Sequence, residues 1–229
     1  MTLELLAALG KSFLFVLAAL LPILNPAATA PIFLGMTEGA SAETRILLAR
    51  RIARNIVALM LGSMLVGSYV LAFFGISLPI VRVGGGLIVA ATAWRLLTAT
   101  HATDSRTELA EAFTPEQARK QAFYPLTFPI SCGPGSIAAA ITVGVTLHAE
   151  KLTLSLARMA GGVLALFAIG VICYLVFRYA QRLLRPLGEA GTVIFLRLSA
   201  FILLCLGVQI VWDGLSELLL GLLVSAGIN

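Results

Sequence analysis

Charge is what this sequence has least of. Only 12% of its 229 residues are Asp, Glu, Lys or Arg, against roughly 25% in soluble globular proteins. A water-facing surface cannot be built from that supply, so a soluble domain is excluded. Cysteine is also scarce. Cys132, Cys173 and Cys205 all lie inside apolar runs and read as small buried hydrophobes, not as a disulfide framework. The two histidines, His101 and His148, fall in separate connections on opposite sides of a membrane, and no His-Glu-x-x-His occurs, so no metal site is expected. No Gly-Lys-Ser/Thr follows Gly84-Gly85-Gly86, which removes an ATP-binding loop and leaves close helix packing as the use of these glycines. The 16 basic residues outnumber the 11 acidic ones for a net charge of +5. They are not interleaved with aromatics, so nucleic acid is not an expected partner. No cofactor is expected either.

What remains is apolar: 59% of residues are hydrophobic and the mean hydropathy is +1.00. A helical membrane span takes roughly 20 such residues. Charges mark where the spans end. None lies between Lys11 and Glu38, between Arg54 and Arg82, or between Lys120 and Glu150. The pattern predicts six transmembrane helices, at about 12–35, 54–74, 79–98, 122–147, 153–178 and 192–220. A short break at Gly75–Pro79 separates the second and third. The longest polar stretch, 101–121, holds Thr114-Pro115-Glu116-Gln117, a helix-start signature. No cleavable signal peptide is expected, because the first apolar run is too long and carries Asn-Pro in its middle. Arginines 45, 50, 51 and 54, then 95, 106 and 119 with Lys120, then 178, 182 and 185 fall in the odd-numbered loops. The positive-inside rule then makes those loops cytoplasmic and puts both termini outside, in the periplasm of a bacterial inner membrane protein.

Two places depart from a plain apolar span. Span one contains Pro22, Asn25-Pro26, Thr29 and Pro31. Span four contains Pro129, Ser131-Cys132-Gly133-Pro134 and Gly135-Ser136. Each lies once per half, in the first of three spans. Three is odd, so the halves, 1–98 and 122–229 around a connecting loop 99–121, would insert in opposite senses. This is the inverted-repeat plan of many carriers. Proline removes a backbone N–H and clashes with the carbonyl four residues back: Pro22 for Pro26, Ile130 for Pro134. Asn25 and Gly133 also fit an N-cap before proline at the first helical position. Half-helices starting inside the bilayer would aim partial positive charge at an anionic group such as a carboxylate. Asn25, Pro26, Thr29, Ser131, Gly133, Pro134, Gly135, Ser136 and Thr142 are therefore candidate solute contacts. Arg82 and Arg197, near the starts of spans three and six, are candidates for binding a carboxylate, for pairing across the halves, or for snorkelling to the interface.

On Asn25-Pro26 with Pro31-Ile32-Phe33-Leu34, on Phe128-Pro129 with Gly133-Pro134-Gly135-Ser136-Ile137, and on Gly84-Gly85-Gly86, the chain resembles the MarC family of bacterial inner-membrane proteins. The resemblance covers essentially the whole chain. It implies six spans in the wider LysE-type exporter grouping, and neutral amino acids as a substrate class. Ser131-Cys132 before Gly133 departs from the usual pattern of that family.

Three function classes compete. A carrier of a small solute needs the two breaks to meet near the midplane. An intramembrane enzyme needs a nucleophile with a base, and Ser131 and Cys132 have no histidine or acid beside them in sequence, so no enzyme activity is expected. A membrane scaffold needs filled helix contacts and no cavity. Asp213 and Glu217 sit one turn apart near the outer surface, and no acid occupies the middle of a span, so a central carboxylate relay has no support. Trp94 and Trp212 read as interface anchors. Lipid and a small solute are the expected partners, with a homo-oligomer left open.

Overall fold

The computed structural model describes residues 2–37, 39–98 and 122–225. The loop 99–121, with its expected helix start at Thr114–Gln117, lies outside the described residues. Every regular element among the described residues is helical: α1 (Thr2–Leu24), α2 (Pro26–Met36), α3 (Ala42–Phe73), α4 (Leu78–Thr98), a π-helical segment (Leu126–Ser131), α5 (Pro134–Thr146), α6 (Leu152–Arg178), α7 (Ala180–Leu184), a 3₁₀ turn (Arg185–Leu187) and α8 (Gly188–Ser225).

Five helical stretches are long and apolar enough to cross a bilayer: Leu3–Met36, Ala42–Phe73, Leu78–Thr98, Leu152–Arg178 and Ala190–Leu223. The expected six therefore become five plus one short apolar helix, Pro134–Thr146. The physical reason is the break within 122–147. Phe128 has non-helical dihedrals inside the π segment, and Cys132 is extended, so regular helix survives only from Pro134 onward. Thirteen residues rise about 20 Å, short of the roughly 30 Å hydrocarbon core.

A second difference concerns the basic residues before span two. They were placed in a loop, but α3 already begins at Ala42. Ser41 caps it by accepting from the Thr44 N–H at 3.1 Å, so Arg45, Arg50, Arg51 and Arg54 ride on helical turns. At 32 residues α3 is about 48 Å long, more than a bilayer core requires. At its other end Gly75, with φ +66°, provides the left-handed turn that lets the Ile76 N–H reach back to the Leu71 carbonyl at 2.9 Å, closing the helix in the manner of a Schellman cap.

The core divides in two. One continuous cluster joins α1, α2, α3, the π segment, α5 and α6 through Val16, Leu20, Leu48, Ile52, Ile56, Met60, Leu126, Leu166 and Ile169. A smaller one, Val89, Ala93 and Leu203, joins α4 to α8, which form the most extensive helix pair. Glycine sets the approach in both. A Cβ on Gly86 would lie 2.8 Å from the Gly207 carbonyl oxygen, and one on Gly207 would lie 2.6 Å from the Ala90 nitrogen. Gly161 packs on the backbone of Leu9, and Gly144 on that of Met64. Small residues thus let backbones touch, which is how helices associate where lipid supplies no hydrophobic drive. The outer surface carries Phe73, Leu164, Phe167, Ile194 and many other exposed large apolar side chains. Trp94 and Trp212 are exposed too. Cys132 and Cys173 are buried as expected, whereas Cys205 is exposed on α8, because apolar runs on a lipid-facing helix need not be interior.

Candidate functional site: two interrupted helices

The first break is a single residue. Asn25 adopts the left-handed conformation (φ 41°, ψ 59°), which asparagine tolerates better than most residues. Its N–H still bonds the Leu21 carbonyl at 3.0 Å, so it closes α1. Its side-chain oxygen accepts from the Ala28 N–H at 3.3 Å and its own carbonyl from the Ala28 and Thr29 N–H groups at 3.1 and 3.2 Å, so it also opens α2. Pro26 occupies the first helical position, as expected from the sequence. Thr29 is buried and its hydroxyl donates back to the Pro26 carbonyl at 3.1 Å.

The second break is longer. The π segment carries Pro129, with cis bonds at Tyr124–Pro125 and Phe128–Pro129. The Cys132 N–H returns to the Thr127 carbonyl at 2.7 Å. Gly133 is extended (φ −87°, ψ 173°) with no side-chain cap, and Pro134 starts α5. Here the cap is backbone alone: the Gly133 carbonyl accepts from the Ser136 and Ile137 N–H groups at 3.1 and 3.2 Å. Ser131 and Ser136 are both buried. Their hydroxyls donate to the Leu126 carbonyl at 2.7 Å and the Gly133 carbonyl at 2.8 Å. Gly135 packs against Val89 and the Gly85 carbonyl of α4, where a Cβ would clash.

At both breaks, then, proline supplies no donor and the second and third amides after it turn back to the cap. Around the breaks Pro22, Ala27, Pro129 and Pro134 are exposed, with Asn25 and Gly133 half-buried and Pro26, Ala28, Thr29, Ser131, Cys132, Gly135 and Ser136 buried. Leu24 and Ala30 beside the first break share one core with Leu126 and Cys132 beside the second, and α2 packs directly on the π segment. The structure therefore brings the two proline sites together.

It does not bring the two arginines there. Arg82, the fifth residue of α4, pairs with Glu217 of α8, so its charge ties the two halves. Arg197 is exposed and lies ten residues into α8, well past the start where it was expected. Asp213 accepts from Gln209 at 2.8 Å. Asn55, which the sequence reading passed over, donates from α3 to the Thr127 hydroxyl at 3.3 Å, and that hydroxyl donates to the Ala122 carbonyl at 2.6 Å. An amide next to the arginine run, on a stretch otherwise apolar toward the core, was the available signal. Thr142 on α5 holds the single buried side-chain polar atom without a partner among the described residues, its Oγ1. A cavity of about 350 Å³ lies beyond the C-terminal half of α2, lined by Pro31, Leu34, Gly35, Arg45, Gln181, Leu184 and Thr192. Arg45 closes that end by donating twice to the Thr37 carbonyl, at 3.0 and 3.2 Å.

Residues 10–219 match the family model described as MarC family integral membrane protein. The chain belongs to the MarC family. It is 31% identical over 207 residues to an inner membrane protein named MarC from Escherichia coli O1:K1, covering 89% of this chain and 93% of that one. Proteins of the same name from Escherichia coli strain K12 and from Shigella flexneri are 30% identical over the same shares. No solved structure matches the chain. Membership makes this an integral membrane protein, and the exposed apolar surface of its MarC-type helices is a lipid surface. The matched region begins within α1 and ends within α8, so both breaks and both glycine-packed cores lie inside it.

Proposed function

We propose that this MarC-family chain is a secondary carrier of a small polar solute, with neutral amino acids the first class to test, and that solute binds between the two proline-broken helices. The observation that carries this reading is the matched pair of half-helix starts, each with proline at its first position, at Pro26 and at Pro134, with the residues beside them packed into one core. A helix N-terminus carries about half a positive charge and suits an anionic group such as a carboxylate. Unsatisfied backbone in hydrocarbon costs several kcal/mol per group, so such breaks favour a wet or solute-filled setting. Thr142, with its free hydroxyl, is a further candidate contact on α5.

The helix order supports an inverted repeat of two three-span halves. Broken helix, long helix, long helix occurs twice, and packing of α1 on α6 is mirrored by packing of α5 on α3. On this reading the π segment and α5 together make the fourth crossing, giving six. The arginines at the start of α3 and those at the end of α6 and on α7 lie at one end of the molecule, since Arg45 and Gln181 line one cavity. That supports a cytoplasmic face there and periplasmic termini in an inner membrane. The alternative, a membrane scaffold without transport, draws on the hydroxyls of Thr29, Ser131 and Ser136, all already spent on nearby carbonyls.

Uptake and exchange of a panel of amino acids in proteoliposomes decides between the two. A carrier exchanges at least one of them, and Pro26→Ala and Pro134→Ala each lower the rate more than they lower the amount of inserted protein. Wild-type rates from both variants would remove the site assignment.

A further inference from the structure

Away from the breaks, an open groove of about 510 Å³ runs between α3 and α6, lined by Arg50, Ala53, Arg54, Val57, Ala58, Leu61, Phe167, Gly170, Val171 and Tyr174. Its composition changes along its length. Arg50 and Arg54, one turn apart and both exposed, occupy one end with Tyr174. The rest is apolar, and Phe167 and Val171 are 54% and 57% exposed on the lipid side. The floor is made by Ala53 and Gly170, and Gly170 sits against Val57 so closely that a Cβ would clash. From Arg50 to Leu61 the α3 wall is about 16 Å long, roughly half the depth of a hydrocarbon core.

The basic end is denser than its two lining arginines. The Arg178 guanidinium stacks 5.7 Å from the Tyr174 ring and 5.3 Å from Tyr179, and it donates to the Tyr174 hydroxyl at 2.8 Å. Tyr174 thus joins the α6 cation to the groove. Neither Arg50 nor Arg54 has a carboxylate partner among the described residues. Two guanidiniums without a carboxylate partner among the described residues therefore stand at the headgroup end of a one-leaflet apolar furrow.

We infer that this groove binds an anionic phospholipid of the surrounding bilayer, its phosphate held by Arg50 and Arg54 and one acyl chain lying along Val57, Leu61, Phe167 and Val171. Charge complementarity selects the occupant. Guanidinium forks match phosphate oxygens, and basic pockets between membrane helices on one side are the recurrent way lipid headgroups are recognised. A zwitterionic lipid offers the same chain but an ammonium that two arginines repel. The lipid would seal α3 against α6 where small residues leave the interface open. This inference does not depend on transport.

The test uses the full chain in bilayers. In a background with Trp94→Phe and Trp212→Phe, which removes the two exposed native tryptophans, Phe167→Trp places the single fluorophore in the groove, and quenching by brominated phosphatidylglycerol is compared with quenching by brominated phosphatidylcholine, each diluted in unbrominated phosphatidylcholine. Arginine near a membrane surface is worth about a fivefold preference for anionic lipid, so the expected relative affinity exceeds fivefold. The preference falls to near unity in Phe167→Trp/Arg50→Gln/Arg54→Gln. It is retained in Phe167→Trp/Arg158→Gln, which removes a charge elsewhere. Ala58→Phe, on an exposed position of the groove wall, lowers quenching by both lipids while leaving thermal unfolding unchanged. Equal quenching by the two headgroups, or a preference that survives loss of both arginines, overturns the assignment. So does inorganic phosphate at millimolar concentration abolishing the preference, which would mark a free-anion site.

Discussion

The two breaks reach the same end by different chemistry. At the first, one asparagine serves as the end of α1 and the cap of α2, and the interruption costs a single residue. At the second, no side chain caps α5. Eight residues, Leu126 to Gly133, are given over to a π segment and an extended turn, held by the Cys132–Thr127 backbone bond and by Asn55 from α3. The first break is therefore locally determined and the second depends on its neighbours.

That contrast can be broken or sharpened by substitution. The largest effect belongs to Gly135→Leu. Overpacking costs about 1–3 kcal/mol and sometimes more, and here the added atoms meet both Val89 and the Gly85 backbone, so thermal unfolding in detergent should drop by several degrees. Gly35, in the other half-helix, has open space around it. Gly35→Ala should instead raise stability, by up to about 1 kcal/mol, from helix propensity alone. Next comes Asn25→Ala, which removes a cap worth about 1 kcal/mol and adds the cost of a left-handed alanine, about 1–2 kcal/mol. Asn25→Gly should be close to neutral, and equal losses from the two would contradict the capping account. Asn55→Leu removes one interhelical bond. Such bonds average about 0.6 kcal/mol in membranes, and the loss should show as faster proteolysis or hydrogen exchange around 122–133 with none around Asn25. The smallest effect is expected of Arg82→Gln. Glu217 is 49% exposed, and pairs of this kind contribute about 0–1 kcal/mol, so unfolding should move by a degree or two at most.

Much of this architecture is legible in the residue order. Gaps between charges locate Leu78–Thr98 and Leu152–Arg178 closely, because lipid forbids charge where it forbids water, whereas α1 and α3 start at Thr2 and Ala42, well before the expected 12 and 54. Both half-helix starts, at Pro26 and Pro134, follow from proline's missing donor and the capping preferences of Asn and Gly. The π segment does not follow, since its carbonyls find partners five residues on and nothing in Leu126–Ser131 marks that spacing. Nor do the hydroxyl orientations: Thr29, Ser131 and Ser136, candidate solute contacts by sequence, each donate to a carbonyl of their own break. Arg82 had three open readings, and only the antiparallel course of α4 and α8 brings Glu217 to it. The start of α3 was misplaced because charge was read as loop, whereas a helix leaving the bilayer keeps its hydrogen bonds and simply changes its surface.

Water at the breaks is the point on which the carrier reading turns, and Ala27 and Pro134, an exposed residue beside each half-helix start, can report it. In a variant with Cys132, Cys173 and Cys205 replaced, single cysteines at Ala27 and at Pro134 should react with a membrane-impermeant maleimide, and a transported amino acid should slow both reactions. Val171→Cys, on the lipid face, should stay unreactive. If the two break cysteines are as inert as that one, the half-helix starts face lipid or filled protein, and no solute passes between them.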